Sequence, residues 1–157
     1  MSVLLVACNE DADFSSNPSL KLEFSCDTVS FDTLFTDLVS PTAKFVVRNR
    51  NDNALRISSV QLLSGGESGF SVLVDGQYGS YMRDLEIRAR DSLYVLASVN
   101  VERNGADVPL LVKDSLLFTL ESGVQQGILM LAYGRDVTFL NGWNVAADTK
   151  LAAGHYV

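Results

Sequence analysis

The sequence predicts an all-β fold, an antiparallel β-sandwich of seven to eight short strands, and three observations predict it. Alternation is unbroken over residues 91–101, where Leu93, Val95, Ala97, Val99 and Val101 fall on one face and Ser92, Tyr94, Leu96, Ser98 and Asn100 on the other. A period of two held over roughly ten residues marks a strand with one buried face, and β-branched valine suits a pleated surface. Turn signals recur at intervals of about 8–12 residues, and no stretch has helical periodicity. A closed barrel is the alternative architecture.

Taken in order, residues 9–19 read as a tether, acidic in Asn9-Glu10-Asp11-Ala12-Asp13 and turn-rich in Ser15-Ser16-Asn17-Pro18-Ser19. Leu20, Leu22 and Phe24 then alternate with Lys21 and Glu23, and after Cys26-Asp27 the alternation resumes at Val29, Phe31, Thr33 and Phe35. Two segments with a break between them are the form of a first strand that changes sheets. Ala43, Phe45 and Val47 point inward, and the polar run Asn49-Arg50-Asn51-Asp52-Asn53 predicts a hairpin loop, because Asn and Asp tolerate positive φ. Leu55 and Ile57 share one parity while Val60 and Leu62 take the other, so a β-bulge is expected near Ser58-Ser59.

Ser64-Gly65-Gly66-Glu67-Ser68-Gly69 reads as a flexible loop and Phe70, Val72 and Val74 as a short strand. Turns are expected at Asp75-Gly76 and Tyr78-Gly79, with a brief strand at Leu85 and Ile87. Pro109 argues against a central-strand position where it stands. Leu116, Phe118 and Leu120 form the next inward face, and residues 127–133 are apolar on both parities, which suits a strand covered on both sides or paired with a neighbouring domain. The domain is expected over residues 20–136, with 1–8 and 9–19 ahead of it and a tail over 137–157.

At 157 residues the chain is long enough for one core without metals or disulfide staples, and 47% hydrophobic against 20% charged residues is globular material. Twelve basic against nineteen acidic residues leave a net charge of -7, which repels a nucleic-acid backbone and predicts no nucleic-acid partner. No segment approaches the roughly 18 consecutive apolar residues of a membrane-spanning helix. The two cysteines, Cys8 and Cys26, read as unpaired within the fold, and Cys26 as a small half-buried filler.

Val3-Leu4-Leu5-Val6-Ala7-Cys8 resembles the lipobox of bacterial lipoproteins, in which the cysteine is acylated after the leader is removed. The basic n-region and full apolar length of a leader are missing, so a truncated leader is expected. The acidic cluster after Cys8 is similar to the export signal of Bacteroidota lipoproteins that reach the outer face of the outer membrane. Six ordered blocks extend the resemblance: Phe31-Asp32-Thr33-Leu34-Phe35; Phe45-Val46-Val47-Arg48-Asn49-Arg50-Asn51; Leu55-Arg56-Ile57-Ser58-Ser59-Val60; Asp91-Ser92-Leu93-Tyr94-Val95; Asp114-Ser115-Leu116-Leu117-Phe118; and Leu131-Ala132-Tyr133-Gly134. Together they resemble the N-terminal immunoglobulin-like module of Bacteroidota cell-surface lipoproteins, and more distantly the ASPM/SPD-2/Hydin and major-sperm-protein sandwiches.

The resemblance implies an immunoglobulin-like sandwich, lipid-anchored through Cys8 at the outer membrane and facing the exterior, with the periplasmic face as the alternative. It also implies a following parallel β-helix, of which residues 148–157 look like the opening residues, so that the chain's own downstream domain is a further expected partner. The function it implies is that of a non-catalytic spacer or docking module. The alternatives are a glycan- or protein-binding adhesin-like module and an accessory domain of a β-helix polysaccharide-active enzyme.

No enzyme is expected from the residues themselves. His155 is the only histidine and lies two residues from the end, so a His-centred triad has no base, and no Cys/His cluster has zinc spacing. Asn49, Asn51, Asp52 and Asn53 offer oxygens for calcium but lack the Gly and bidentate Glu of an EF-hand loop, and no metal or cofactor is expected. Tyr78, Tyr81 and Met82, near Gly76 and Gly79, are the candidate ligand contacts, an aromatic ledge for a sugar ring or else a cap on one end of the sandwich.

Overall fold

The computed structural model describes residues 13–105, 108–142 and 148–157. Its strands are β1 (Glu23–Phe24), β2 (Thr28–Phe35), β3 (Ala43–Arg48), β4 (Leu55–Leu62), β5 (Phe70–Val74), β6 (Gln77–Gly79), β7 (Tyr81–Ile87), β8 (Ser92–Val99), β9 (Leu110–Leu120) and β10 (Gln125–Arg135). They form two five-stranded sheets, ordered β1-β3-β8-β5-β6 and β2-β10-β9-β4-β7. This is the expected immunoglobulin-like sandwich, with ten strands rather than seven to eight. The excess comes from β1, expected together with β2 as one interrupted strand, and from β6, three residues where a turn was expected at Tyr78-Gly79. Among the ten strands pairing is antiparallel except between β2 and β10, which run parallel.

The strand with the longest alternation, β8, is the middle of the first sheet, paired with β3 on one side and β5 on the other. Its Val95, Ala97 and Val99 are buried against the opposite sheet. The break after Phe24 is a change of sheet, as expected: Glu23 lies opposite Arg48 on β3, and Thr28 opposite Leu129 on β10. Ring pairs stitch the two layers together, Phe24 with Phe118 at 5.1 Å and Phe31 with Phe70 at 5.9 Å between centroids. The expected bulge is present too, since the register of β4 against β9 shifts between Ile57 and Ser59 while its register against β7 does not.

Residues 49–53 are not a hairpin loop. β3 and β4 belong to different sheets, so this run is an arch that crosses the sandwich. Asn49 holds it, fully buried: its Nδ2 donates to the carbonyl oxygens of Asn53 (2.8 Å), Arg88 (3.1 Å) and Ile87 (3.3 Å), and its Oδ1 accepts from Asn51. Residues 64–69 likewise cross between sheets and are anchored instead of loose. Asp114, pointing inward from β9, accepts hydrogen bonds from the hydroxyls of Ser64 and Ser68 (2.5 Å each) and from the Ser64 amide (3.2 Å). The outer face of β10 is not covered among the described residues, because Leu129 and Tyr133 remain exposed.

Chain order continues outside the expected 20–136 boundaries. Phe14 bridges to Ala54 and lies under the Arg56 guanidinium at 4.3 Å, so a portion of the tether is docked. Beyond β10, Val137 is buried, Phe139 meets Phe35 edge-on at 6.2 Å, and Thr138 pairs in parallel with Tyr156. The tail therefore packs on the sandwich at Val137 and Phe139 and pairs with itself at Thr138 and Tyr156. Cys8 and the lipobox, with the acidic residues up to Ala12, lie outside the described residues.

Candidate functional site

The three residues expected to form an aromatic ledge do not share a surface. The chain crosses from one sheet to the other between β6 and β7, so Tyr78 lies on the outer face of the first sheet and Tyr81 on that of the second. Both are exposed, Tyr78 by 70% and Tyr81 by 51%, whereas Met82 is 1% exposed and belongs to the core. Gln77 closes the seam beside them. Its side-chain amide donates to the Arg83 carbonyl (2.9 Å) and accepts from the Arg83 amide (3.1 Å), as a neighbouring strand would.

Two of the side-chain oxygens that suggest calcium in the sequence, those of Asn49 and Asp52, are engaged otherwise. Asn49 Oδ1 accepts from Asn51 Nδ2 at 2.8 Å, and Asp52 pairs with Arg90 at 2.6 Å. Among the described residues no group of three metal-ligating side chains occurs. Cys26 is half-buried and packs against the core as a filler. His155 lines a hollow of about 330 Å³ with Arg103, Gly105 and Asp136. Arg103 there is committed to Asp37 (2.6 Å) and the Val137 carbonyl (2.8 Å), and the His155 carbonyl accepts from the Thr138 amide (2.7 Å).

Asp114 is the most buried carboxylate described, and its neighbours explain its charge. Burial, the largest influence, would raise its pKa, but the hydrogen bonds from Ser64, Ser68 and Ser115 together outweigh it and hold the carboxyl below its ordinary value. Every partner is a donor from the chain itself, so the ionised form is the one this loop is built on. That is a structural use of a carboxylate.

A second feature is a groove on the outer face of the first sheet. Register places Lys44, Leu96, Leu73 and Tyr78 in one row across β3, β8, β5 and β6. On one side of the Leu96–Leu73 pair lies a hollow of about 470 Å³ bounded by Lys44, Asp75, Ser92 and Tyr94. Its size is within the roughly 300–1,000 Å³ range of small-molecule sites. On the other side a smaller hollow of about 150 Å³ is lined by Thr42, Ser71, Tyr78 and Ser98, so the two form a groove along the strands over a Leu73–Leu96 saddle.

Local sequence sets the groove's two walls. Asp75 and Gly76 have φ of 47° and 78°, the paired positive values of a two-residue hairpin turn, which Asp-Gly favours. This turn raises one wall. The other is Tyr94, 56% exposed, with the Lys44 ammonium 3.8 Å from its ring centroid. Sequence reasoning assigned Tyr94 and Leu96 to the solvent side of β8 without a role. The available signal was two large apolar side chains on a parity otherwise occupied by Ser92, Ser98 and Asn100.

No family model matches the chain, and no curated protein matches it. Among solved structures the chain is similar to a protein of unknown function from Porphyromonas gingivalis W83, at 19% identity and a TM-score of 0.50, over 73% of this chain and 48% of that one. It spans about half the length of that protein. It is also similar to the PapD-like domain 7 of human CEP192, at 12% identity and a TM-score of 0.45 over 87% of this chain and 96% of that one. WR4, a C. elegans MSP family member, gives 11% identity and a TM-score of 0.41 over 72% and 96%. At such identities likeness bears on fold alone.

Proposed function

We propose that this chain is a non-catalytic immunoglobulin-like module of a bacterial surface lipoprotein, of the ASPM/SPD-2/Hydin type found in Bacteroidota, anchored through Cys8 and serving as a spacer with a docking face. The observation that carries this reading is the path of the chain through the sandwich. It enters at Phe14 beside Ala54, where β4 begins and where β9 ends and β10 starts, and it leaves past Arg135 at the opposite end. A module crossed end to end holds its N-terminal and C-terminal attachments apart by its own length.

The dimensions come from the backbone. From Cys8 to Phe14 the chain advances six residues (14 − 8), a reach of at most about 20 Å fully extended. An anchor at Cys8 therefore holds the Ala54 end close to the lipid surface. The eleven residues of β10 carry the chain about 35 Å further to the other end. Acyl chains on Cys8, at about 0.8 kcal/mol per buried CH₂, supply the attachment.

The experiment is palmitate labelling of cells expressing the protein, with Cys8→Ala as comparison. Incorporation into the wild type and its loss in Cys8→Ala are the expected results. Equal labelling of both proteins, or of neither, would overturn the anchor.

A further inference from the structure

We infer that the groove on the outer face of the β1-β3-β8-β5-β6 sheet binds a hydroxyl-rich, uncharged saccharide. The inference gives a ligand class to the docking face proposed above and is independent of whether Cys8 is acylated. It rests on four properties of the groove. Its floor is apolar where Leu73 and Leu96 rise between the two hollows, with the Tyr94 ring beside the larger hollow and the Tyr78 ring beside the smaller. A pyranose offers a C–H face that covers such a floor while its hydroxyls turn to the rim.

The rim is furnished for hydroxyls. Ser92, Asp75 and Lys44 surround the larger hollow, and Thr42, Ser71 and Ser98 the smaller one, giving both donors and acceptors along its length. Charge comes third. Lys44 and Asp75 are the only charged residues of the lining and their formal charges cancel, on a chain whose net charge is -7, so the groove demands no charge of its occupant. Fourth, the groove lies over β3, β8 and β5, whose facing backbones are already paired in ladders. A peptide cannot add there as a strand, and recognition must run through side chains.

The spacing supports more than a single ring. From Tyr94 to Ser98 the strand advances four residues, about 13 Å. The Leu73–Leu96 saddle divides that length into two compartments, so an oligosaccharide would lie along β8 with successive rings on either side of it.

The test is a titration of the ¹⁵N-labelled chain with tetrasaccharides of glucose, mannose, galactose and N-acetylglucosamine, with tetragalacturonate as the charged comparator. Expected is that at least one neutral member shifts the amides of Leu73, Tyr94 and Leu96, and binds more tightly than the uronate. Tyr94→Ala should weaken that binding about tenfold or more. Asp75→Asn, which keeps the positive-φ turn and removes the carboxylate, should weaken it severalfold. Tyr81→Ala, on the other sheet, should leave it unchanged. The inference is overturned if no member of the panel shifts these amides at millimolar concentration, if the shifts map to the Tyr81 face, if only the uronate binds, or if a folded Tyr94→Ala or Asp75→Asn binds like the wild type. A failure of saccharide binding alongside intact palmitate labelling would refute the ligand class and leave the spacer standing.

Discussion

Replacing Asn49 by Ala removes the one fully buried side chain that ties the β3–β4 arch to the β7–β8 connection, which the exposed Asp52–Arg90 ion pair also bridges. Its amide has two N–H donors facing three carbonyl oxygens, those of Asn53, Ile87 and Arg88, so one N–H is shared. Because the site is fully buried, water does not replace these donors at no cost. Taking about 1 kcal/mol for each carbonyl that loses its donor gives about 3 kcal/mol. For a domain of this size that lowers Tm by about 6–12 °C, measured by calorimetry or by circular dichroism at a single heating rate. Asn49→Asp should cost more than Ala at neutral pH, since a carboxylate would then face the same three carbonyls. Asn51→Ala, at a half-buried position, should cost under about 1 kcal/mol. If Asn49→Ala melts within about 2 °C of the wild type, the arch is held by something other than this side chain.

Two further perturbations test how the crossing loops are built. Asp114 has a depressed pKa when folded, so its contribution is present above the unfolded carboxylate value and is lost as pH falls through the folded one. In urea titrations from about pH 7 to about pH 2, Asp114→Asn should be less stable at neutral pH by about 2 kcal/mol, and the gap to the wild type should close in acid. A gap that persists or widens in acid contradicts this. Gly69→Ala places a Cβ 2.2 Å from the Asn100 carbonyl oxygen at a φ of +79°, which the β5–β8 ladder cannot absorb without opening. The expected loss is about 3 kcal/mol or more in unfolding free energy, and a near-neutral result would mean that this end of the ladder yields easily.

Where the sequence was legible, local pattern and tertiary pairing agreed. β8 could be placed because its inner face is uniformly apolar, and the sheet change after Phe24 because a break in alternation has few other meanings. The bulge at Ser58-Ser59 was readable because a phase slip must be reconciled with a single core. The arch at residues 49–53 was not, since Asn and Asp specify that the chain turns and do not specify which strand receives it. The same ambiguity hid the split between Tyr78 and Tyr81. Three residues apart, they face opposite sides of the molecule because the chain changes sheets between them.

Asp114 was missed for a related reason. An inward carboxylate on a strand is intelligible only once the loop that it organises has been brought to it from 46 to 50 positions away in sequence. The groove is likewise a product of register. Tyr94 and Leu96 become a site when Leu73 and Lys44 are laid beside them, and alternation along one strand carries no information about its neighbours.

The parallel pairing of β2 with β10 gives the module a mechanical character. Tension applied between the two ends of the sandwich draws β2 toward the Ala54 end and β10 toward the other, so the strands slide past one another along their length. The six paired positions between Thr28 and Phe35 then bear load together, in shear, and must rupture nearly at once. An antiparallel hairpin pulled from its open end would instead unzip rung by rung. A spacer of the kind proposed would thus resist extension best along the axis on which it is pulled.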